Sequence, residues 1–238
     1  MRFKIFVYAI IISLVSQTCK EEKPIEFKEV TKTTNSNNLV ELNIPEAIGN
    51  ESVSKAINHS ISQLVISSLN VNDTNGIEPK TVEESIDLFN NEYAFFKTNF
   101  PDSVVPWEAQ IDGDVMYQSA DVISISMTSY LNTGGAHGNL IISFLNFNSQ
   151  TGKLLKNEDL FEDYLAFTEL AKTYFNEEIA DKKDLYFEPD NFKLPENIGF
   201  DEEGIILLYN TYEVAPYSSG ITEIHIPWED LQTSLNFL

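Results

Sequence analysis

From residue 107 the apolar positions recur every second residue, and that period fixes what the stretch can become. Trp107, Ala109, Ile111, Gly113, Val115 and Tyr117 alternate with Glu108, Gln110, Asp112, Asp114 and Met116. After the turn Gln118-Ser119-Ala120-Asp121, Ile123, Ile125, Met127 and Leu131 alternate with Ser124, Ser126, Thr128 and Tyr130. Successive side chains of a strand point to opposite faces, so these runs predict antiparallel strands with one covered face and one polar face. A further strand, Leu140 to Phe147, follows the stretch Tyr130-Leu131-Asn132-Thr133-Gly134-Gly135-Ala136-His137-Gly138-Asn139. Glycine holds positive φ without a Cβ clash, so Gly134-Gly135 predicts a tight, backbone-shaped reversal between the two strands.

A sheet with one apolar face needs a cover, and the flanking segments supply helical stripes. Val53, Ala56, Ile57, Ser60, Ile61, Leu64 and Val65 recur at 3.6-residue spacing, with His59 off the stripe and solvated. Thr81 followed by Glu84 forms a capping-box pattern that opens a second helix, running through Val82, Ile86, Phe89, Tyr93 and Phe96 until Pro101 stops it. A third stripe holds Phe167, Leu170, Ala171, Tyr174 and Phe175; Phe192–Leu194, Ile205–Tyr212 and Ile221–Ile226 continue the sheet, and Pro227 opens a short helix. The fold class is therefore α+β, an antiparallel sheet with helices packed on one face.

The amino terminus reads differently. Arg2 and Lys4 precede the apolar run Ile5 to Val15, the pattern of a signal peptide over residues 1–18, and the single cysteine, Cys19, stands where a lipoprotein leader is cut and acylated. With one cysteine no intrachain disulfide forms, so stability rests on a core. Residues 19–38 are polar and predict a flexible tether, followed by a short strand at Leu39 to Ile44. The first residues after the cysteine, Lys20-Glu21-Glu22, resemble the surface-export signal of lipoproteins from the Bacteroidetes group. Formal charge is −22, two units more negative once Arg2 and Lys4 leave. That field repels nucleic acid and is read in two ways: it keeps a surface protein soluble, or it attracts a cationic partner.

Two signatures stand in order along the chain. The first is Asn132-Thr133-Gly134-Gly135-Ala136-His137-Gly138 with Phe147-Asn148-Ser149-Gln150-Thr151-Gly152-Lys153; the second is Tyr212-Glu213-Val214-Ala215-Pro216-Tyr217-Ser218-Ser219-Gly220 with Ile224-His225-Ile226-Pro227-Trp228. Together they resemble the paired domains of unknown function found in the extracellular half of the RsiV anti-sigma factor and in the amino-terminal part of the deacetylase PdaC. The resemblance spans residues 39 to 238 and divides them into a PdaC-like subdomain, 39–131, and an RsiV-like subdomain, 132–238, within one folded unit. It implies an extracellular module, and in the best-understood member that module binds lysozyme. Sigma-factor binding and deacetylation are not implied, since the segments that perform them have no counterpart in this sequence, and the family offers no catalytic residue to carry over.

Nucleophilic catalysis needs a base beside a nucleophile, and the sequence has no Gly-x-Ser-x-Gly elbow. The three histidines, His59, His137 and His225, form no zinc-binding pair, Asp112 and Asp114 share a solvated strand face without a third ligand, and no cofactor motif occurs. His225 alternates outward from Ile224 and Ile226. Two functions from different classes remain. One is a non-enzymatic envelope module, lipid-anchored through Cys19 to the outer membrane or cell surface, that binds a cationic muralytic enzyme such as lysozyme or a cell-wall glycan such as peptidoglycan. Its site residues are Gly134, Gly135, His137 and Asn139 on the loop Thr133 to Asn139, Tyr217 and Gly220 on the neighbouring loop Ala215 to Gly220, and Glu213 just before that loop. The other is a hydrolase with His137 as general base, oriented by Glu213 or Asp112, and it requires His137 to reach a carboxylate in a concave pocket.

Overall fold

A computed structural model of the protein describes residues 23–34, 39–71, 78–231 and 235. The expected signal peptide, Cys19 and Lys20-Glu21-Glu22 lie outside the described residues. The described residues form eight strands and three α-helices: β1 (Glu26–Thr33), β2 (Val40–Ile48), α1 (Glu51–Leu69), α2 (Val82–Asn99), β3 (Glu108–Gln118), β4 (Val122–Asn132), β5 (Asn139–Asn148), α3 (Tyr164–Glu178), β6 (Asn197–Phe200), β7 (Gly204–Tyr209) and β8 (Thr222–Pro227). No helix among the described residues is long and apolar enough to cross a membrane.

The α+β class holds, with the strands divided between two sheets. Strands β1-β2-β3-β4-β5 lie in that order in a mixed sheet, antiparallel throughout except for the parallel pair β2–β3, and β6-β7-β8 form a separate antiparallel sheet. A parallel pair cannot close through a tight turn, and the crossover between β2 and β3 is α1 plus α2. Both helices start where local chemistry asks them to. The Asn50 side chain accepts from the Ser52 and Val53 amides, and Thr81 Oγ1 accepts from the Glu84 amide at 3.1 Å while the Glu84 carboxylate reaches back to the Lys80 amide at 2.7 Å.

Two placements differ from the sequence expectation. Residues 26–33, part of the expected tether, are strand β1, paired with β2 over eight residues and fastened by the opposed pair Lys28–Glu46 at 3.1 Å. Its apolar residues, Phe27 and Val30, break the period-two pattern, as suits a polar strand at a sheet edge. The five-stranded sheet runs through to Asn148, so residues 139–148, assigned by motif to the carboxy-terminal subdomain, complete the first sheet.

Each sheet has its own core. Val53, Ile57 and Ile61 of α1 and Phe89 of α2 pack on Leu42, Ile111, Ile123 and Ile125, and Phe167, Ala171 and Phe175 of α3 pack with Ile198, Ile205, Leu207 and Ile226. Side chains this fully buried contribute about 1.5–3 kcal/mol each. The polar face of β4 and β5, expected in solvent, is partly covered by β6. Ser124 is fully buried and its Oγ accepts from the Phe200 amide at 3.0 Å, and Asn146 Nδ2 donates to the Ile198 carbonyl at 2.7 Å. Alternation assigns a residue to a face; it is silent on what lies over that face. The free edge of β5 is occupied as well. The Asn210 amide group bonds both the N–H and the C=O of Ile142 at 2.9 Å, and Asn197 Oδ1 accepts from the Phe144 amide at 3.3 Å.

Candidate functional site

Strand register places the loop between β4 and β5 at one end of the first sheet. Glu108 pairs with Asn132 at that end, whereas Glu26 pairs with Ile48 at the other. Asn132 Oδ1 accepts from the Gly134 amide at 3.0 Å, and Gly134 sits at φ +88, where a side chain would be strained. Gly135 has no such constraint. The second loop leaves β7 and enters β8 through a 3₁₀ turn, Tyr217–Ser219, closed by Gly220 at φ +75.

The two loops meet at a pair of rings. His137 and Tyr217 stack with centroids 4.0 Å apart and planes 19° from parallel. Both reach the same acceptor. His137 Nδ1 lies 3.0 Å from the Gly138 carbonyl oxygen and the Tyr217 hydroxyl donates to that oxygen at 3.4 Å. A carbonyl only accepts, so the Nδ1 proton points inward and the other ring nitrogen is left outward. Tyr212 extends the aromatic row, its ring centroid 5.8 Å from that of Tyr217.

The other sequence candidates lie elsewhere. Asn139, at the start of β5, lines a separate hollow of about 350 Å³ with Leu64, Ile111 and Met127. The Glu213 carboxylate caps the turn after β7 by accepting from the Asn210 amide, and it borders a cavity of about 270 Å³ shared with Phe175, Tyr186, Phe187 and Lys193. Burial and the nearby Glu196 charge raise its pKa, with the Asn210 hydrogen bond opposing them. Asp112 accepts from Asn43 Nδ2 at 3.0 Å on the outer face of β3. Neither carboxylate forms an ion pair with His137, and the histidine that does meet carboxylates is His225, 2.8 Å from Glu223 and 3.6 Å from Asp201. A base–orienter pair is therefore not assembled at His137. Among the described residues no group of three His, Cys, Asp or Glu side chains is set to hold a metal ion.

Sequence reasoning missed Gly138 and Tyr212. Gly138 contributes a carbonyl, which no side chain announces. Tyr212 was expected inside a strand, yet β7 ends at Tyr209, and Tyr212 stands at φ +71, the one positive-φ residue besides glycine among the described residues, in a turn held by the Tyr212 amide donating to the Ala215 carbonyl at 3.1 Å. Strained non-glycine backbone of this kind gathers at binding and catalytic loops.

These features define a two-sheet α+β module that presents a paired aromatic loop at one end. Two family models match it side by side, the one described as Deacetylase PdaC over residues 30–140 and the one described as Protein of unknown function (DUF3298) over residues 152–229. Both matches are to the paired domains that its two signatures resemble. It is similar in fold to the crystal structure of a DUF3298 family protein from Pseudomonas aeruginosa, with TM-score 0.61 and 20% identity over 90% of this chain and 95% of that one. A DUF3298 family member from Bacteroides fragilis gives TM-score 0.59 and 20% identity over 90% of this chain and 94% of its own. No curated protein matches the sequence.

Proposed function

We propose that this protein is a lipid-anchored envelope module that binds a cationic muralytic enzyme of the lysozyme kind through the joined loops 133–139 and 215–220. The observation that carries the reading is the His137–Tyr217 stack. It fixes two loops some 80 residues apart in the chain into one surface, with Tyr217 still 37% exposed. Rigid aromatic side chains with a polar tip make good anchors, since they bury much area at little conformational cost. The net charge of −22 accelerates encounter with a basic protein, and the shaped loop pair supplies selectivity. The hydrolase reading has less support, because His137 spends Nδ1 on a backbone carbonyl and not on a carboxylate.

Calorimetry with egg-white lysozyme and, separately, with purified peptidoglycan tests the proposal. Tyr217→Ala is expected to weaken lysozyme binding by on the order of 1–2 kcal/mol, His137→Ala to weaken it less, and binding to fall with added salt as charges are screened beyond about 8 Å. Circular dichroism checks folding of both variants. Folded variants that bind like the unaltered protein place the site elsewhere, and binding of peptidoglycan alone identifies a glycan reader.

A further inference from the structure

The cavity of about 270 Å³ beside the turn after β7 is built from three segments. Phe175 comes from α3, Tyr186, Phe187, Glu188 and Lys193 from the link between α3 and β6, and Glu213 from the turn itself. One backbone bond clasps the link to the turn, the Phe187 amide donating to the Val214 carbonyl at 2.9 Å, and the Tyr186 hydroxyl meets Thr222 Oγ1 of β8 at 3.0 Å. The lining is therefore held together by the protein's own contacts. Its apolar part is aromatic. Phe175 is buried and meets the Tyr186 ring edge-on with centroids 6.0 Å apart, whereas Phe187 is 57% exposed and open to further contact.

The two carboxylates of this lining have each spent one oxygen. Glu213 Oε2 accepts from the Asn210 amide, and Glu188 Oε2 accepts from Asn191 Nδ2 at 2.8 Å. The ion pairs described in this part of the chain, Lys182–Glu178 and Lys183–Asp190, involve neither of them. Lys193 is the one cation in the lining, and it pairs with neither carboxylate; its backbone carbonyl accepts from the Tyr209 hydroxyl at 2.7 Å. Glu196 adds a further negative charge, close enough to help raise the Glu213 pKa. Three carboxylates against one ammonium leave the field around the cavity negative.

Aromatic faces and free carboxylate oxygens together recognise a cation. An ammonium fits better than a guanidinium, because a planar fork asks one carboxylate for both oxygens and here each has one already in use. The volume lies just under the roughly 300–1,000 Å³ of sites for drug-sized molecules, so it suits a side chain. We propose that this cavity is a second binding site, separate from the loop pair, that takes the ammonium of a lysine side chain from a protein or peptide partner. The ammonium meets the free oxygens of Glu213 and Glu188, and the alkyl stem lies against Phe187 and Tyr186.

The test uses the full chain, isotope-labelled and in detergent micelles, titrated with lysine blocked as its N-acetyl methylamide and followed by the Phe187 and Val214 amide resonances. Blocked norleucine, which has the same stem without the charge, and blocked arginine are the controls. Saturable shifts are expected with the lysine compound, and about tenfold weaker binding with norleucine, the worth of one charge-assisted contact. Glu213→Gln keeps the bond to Asn210 and is expected to weaken the lysine compound about tenfold with an unchanged circular dichroism spectrum. Glu188→Gln, away from that turn, is expected to do the same, and it decides the matter if Glu213→Gln disturbs the fold. Equal binding of norleucine overturns the cation, tighter binding of arginine overturns the ammonium, and the absence of shifts with all three removes the site. None of these readouts involves Tyr217 or lysozyme, so the cavity and the loop pair stand or fall separately.

Discussion

One carbonyl organises the end of the molecule where the two loops meet. Gly138 O receives both the His137 ring proton and the Tyr217 hydroxyl, so two side chains distant in sequence are oriented by the same backbone atom. That Gly134 and Gly220 shape the two loops and that His137 and Tyr217 lie near one another was legible, since glycine and aromatic residues advertise turns and contact surface through their own chemistry. The Gly138 carbonyl and the backbone of Tyr212 were not, because tertiary contact alone gives them a role. Glu213 shows the same limit from the other side. It was a candidate for its charge, and its carboxylate instead caps a turn. Its raised pKa means that protonation is favoured by folding, so its contribution to stability is present in acid and lost as pH rises through the folded-state value. Glu213→Gln keeps an acceptor for the Asn210 amide and removes the charge. Thermal melts of this variant are expected to match or slightly exceed the unaltered protein at pH 7, by no more than about 1 kcal/mol given solvent screening, with the gap closing near pH 4. A variant clearly less stable at pH 7 would show that the charged hydrogen bond outweighs the burial cost.

Among the elements, the strands were legible where both period and composition agreed. The β3 and β4 runs alternate cleanly, and the covering stripes of α1 and α3 appear at their expected positions. Strand β1 was hidden because it has a lysine and glutamate face at the sheet edge, which serves solubility and leaves no apolar period to detect. The second sheet was hidden for a different reason. Ser124 and Asn146 look solvated in sequence, and they are buried because each satisfies a backbone group of β6. Asn210 illustrates how much such polar residues contribute. Its side chain imitates a neighbouring strand by bonding both backbone groups of Ile142. Asn210→Ala leaves those groups unpaired at the contact between sheets and is expected to cost about 1–3 kcal/mol. Denaturant melts measure the loss, and hydrogen exchange should show it first at the Ile142 amide; unchanged protection there would mean that water replaces the side chain at no cost.

For the molecule as a whole, the expected tether of residues 19–38 is interrupted by β1, which occupies Glu26–Thr33. If Cys19 is acylated, Cys19→Ala is expected to move the protein from the detergent phase to the soluble fraction, or to stall its processing, without altering its melting temperature. Unchanged partitioning would remove the lipid anchor. The overall class was legible because sheet and helix periods are local, whereas the division into two sheets depended on which strand lies beside which. That division also imposes an order on synthesis. All five strands of the first sheet have left the ribosome once Asn148 emerges, but Asn197 and Asn210, which occupy the edge of β5, follow some 50 to 60 residues later. At the usual pace of 5–20 residues per second, the nascent chain carries an open edge strand for roughly 3–12 s. During that interval the edge is a template for pairing with another copy, so the dangerous species for this protein is its own half-made chain, and slow translation through residues 149–210 is the condition that would expose it.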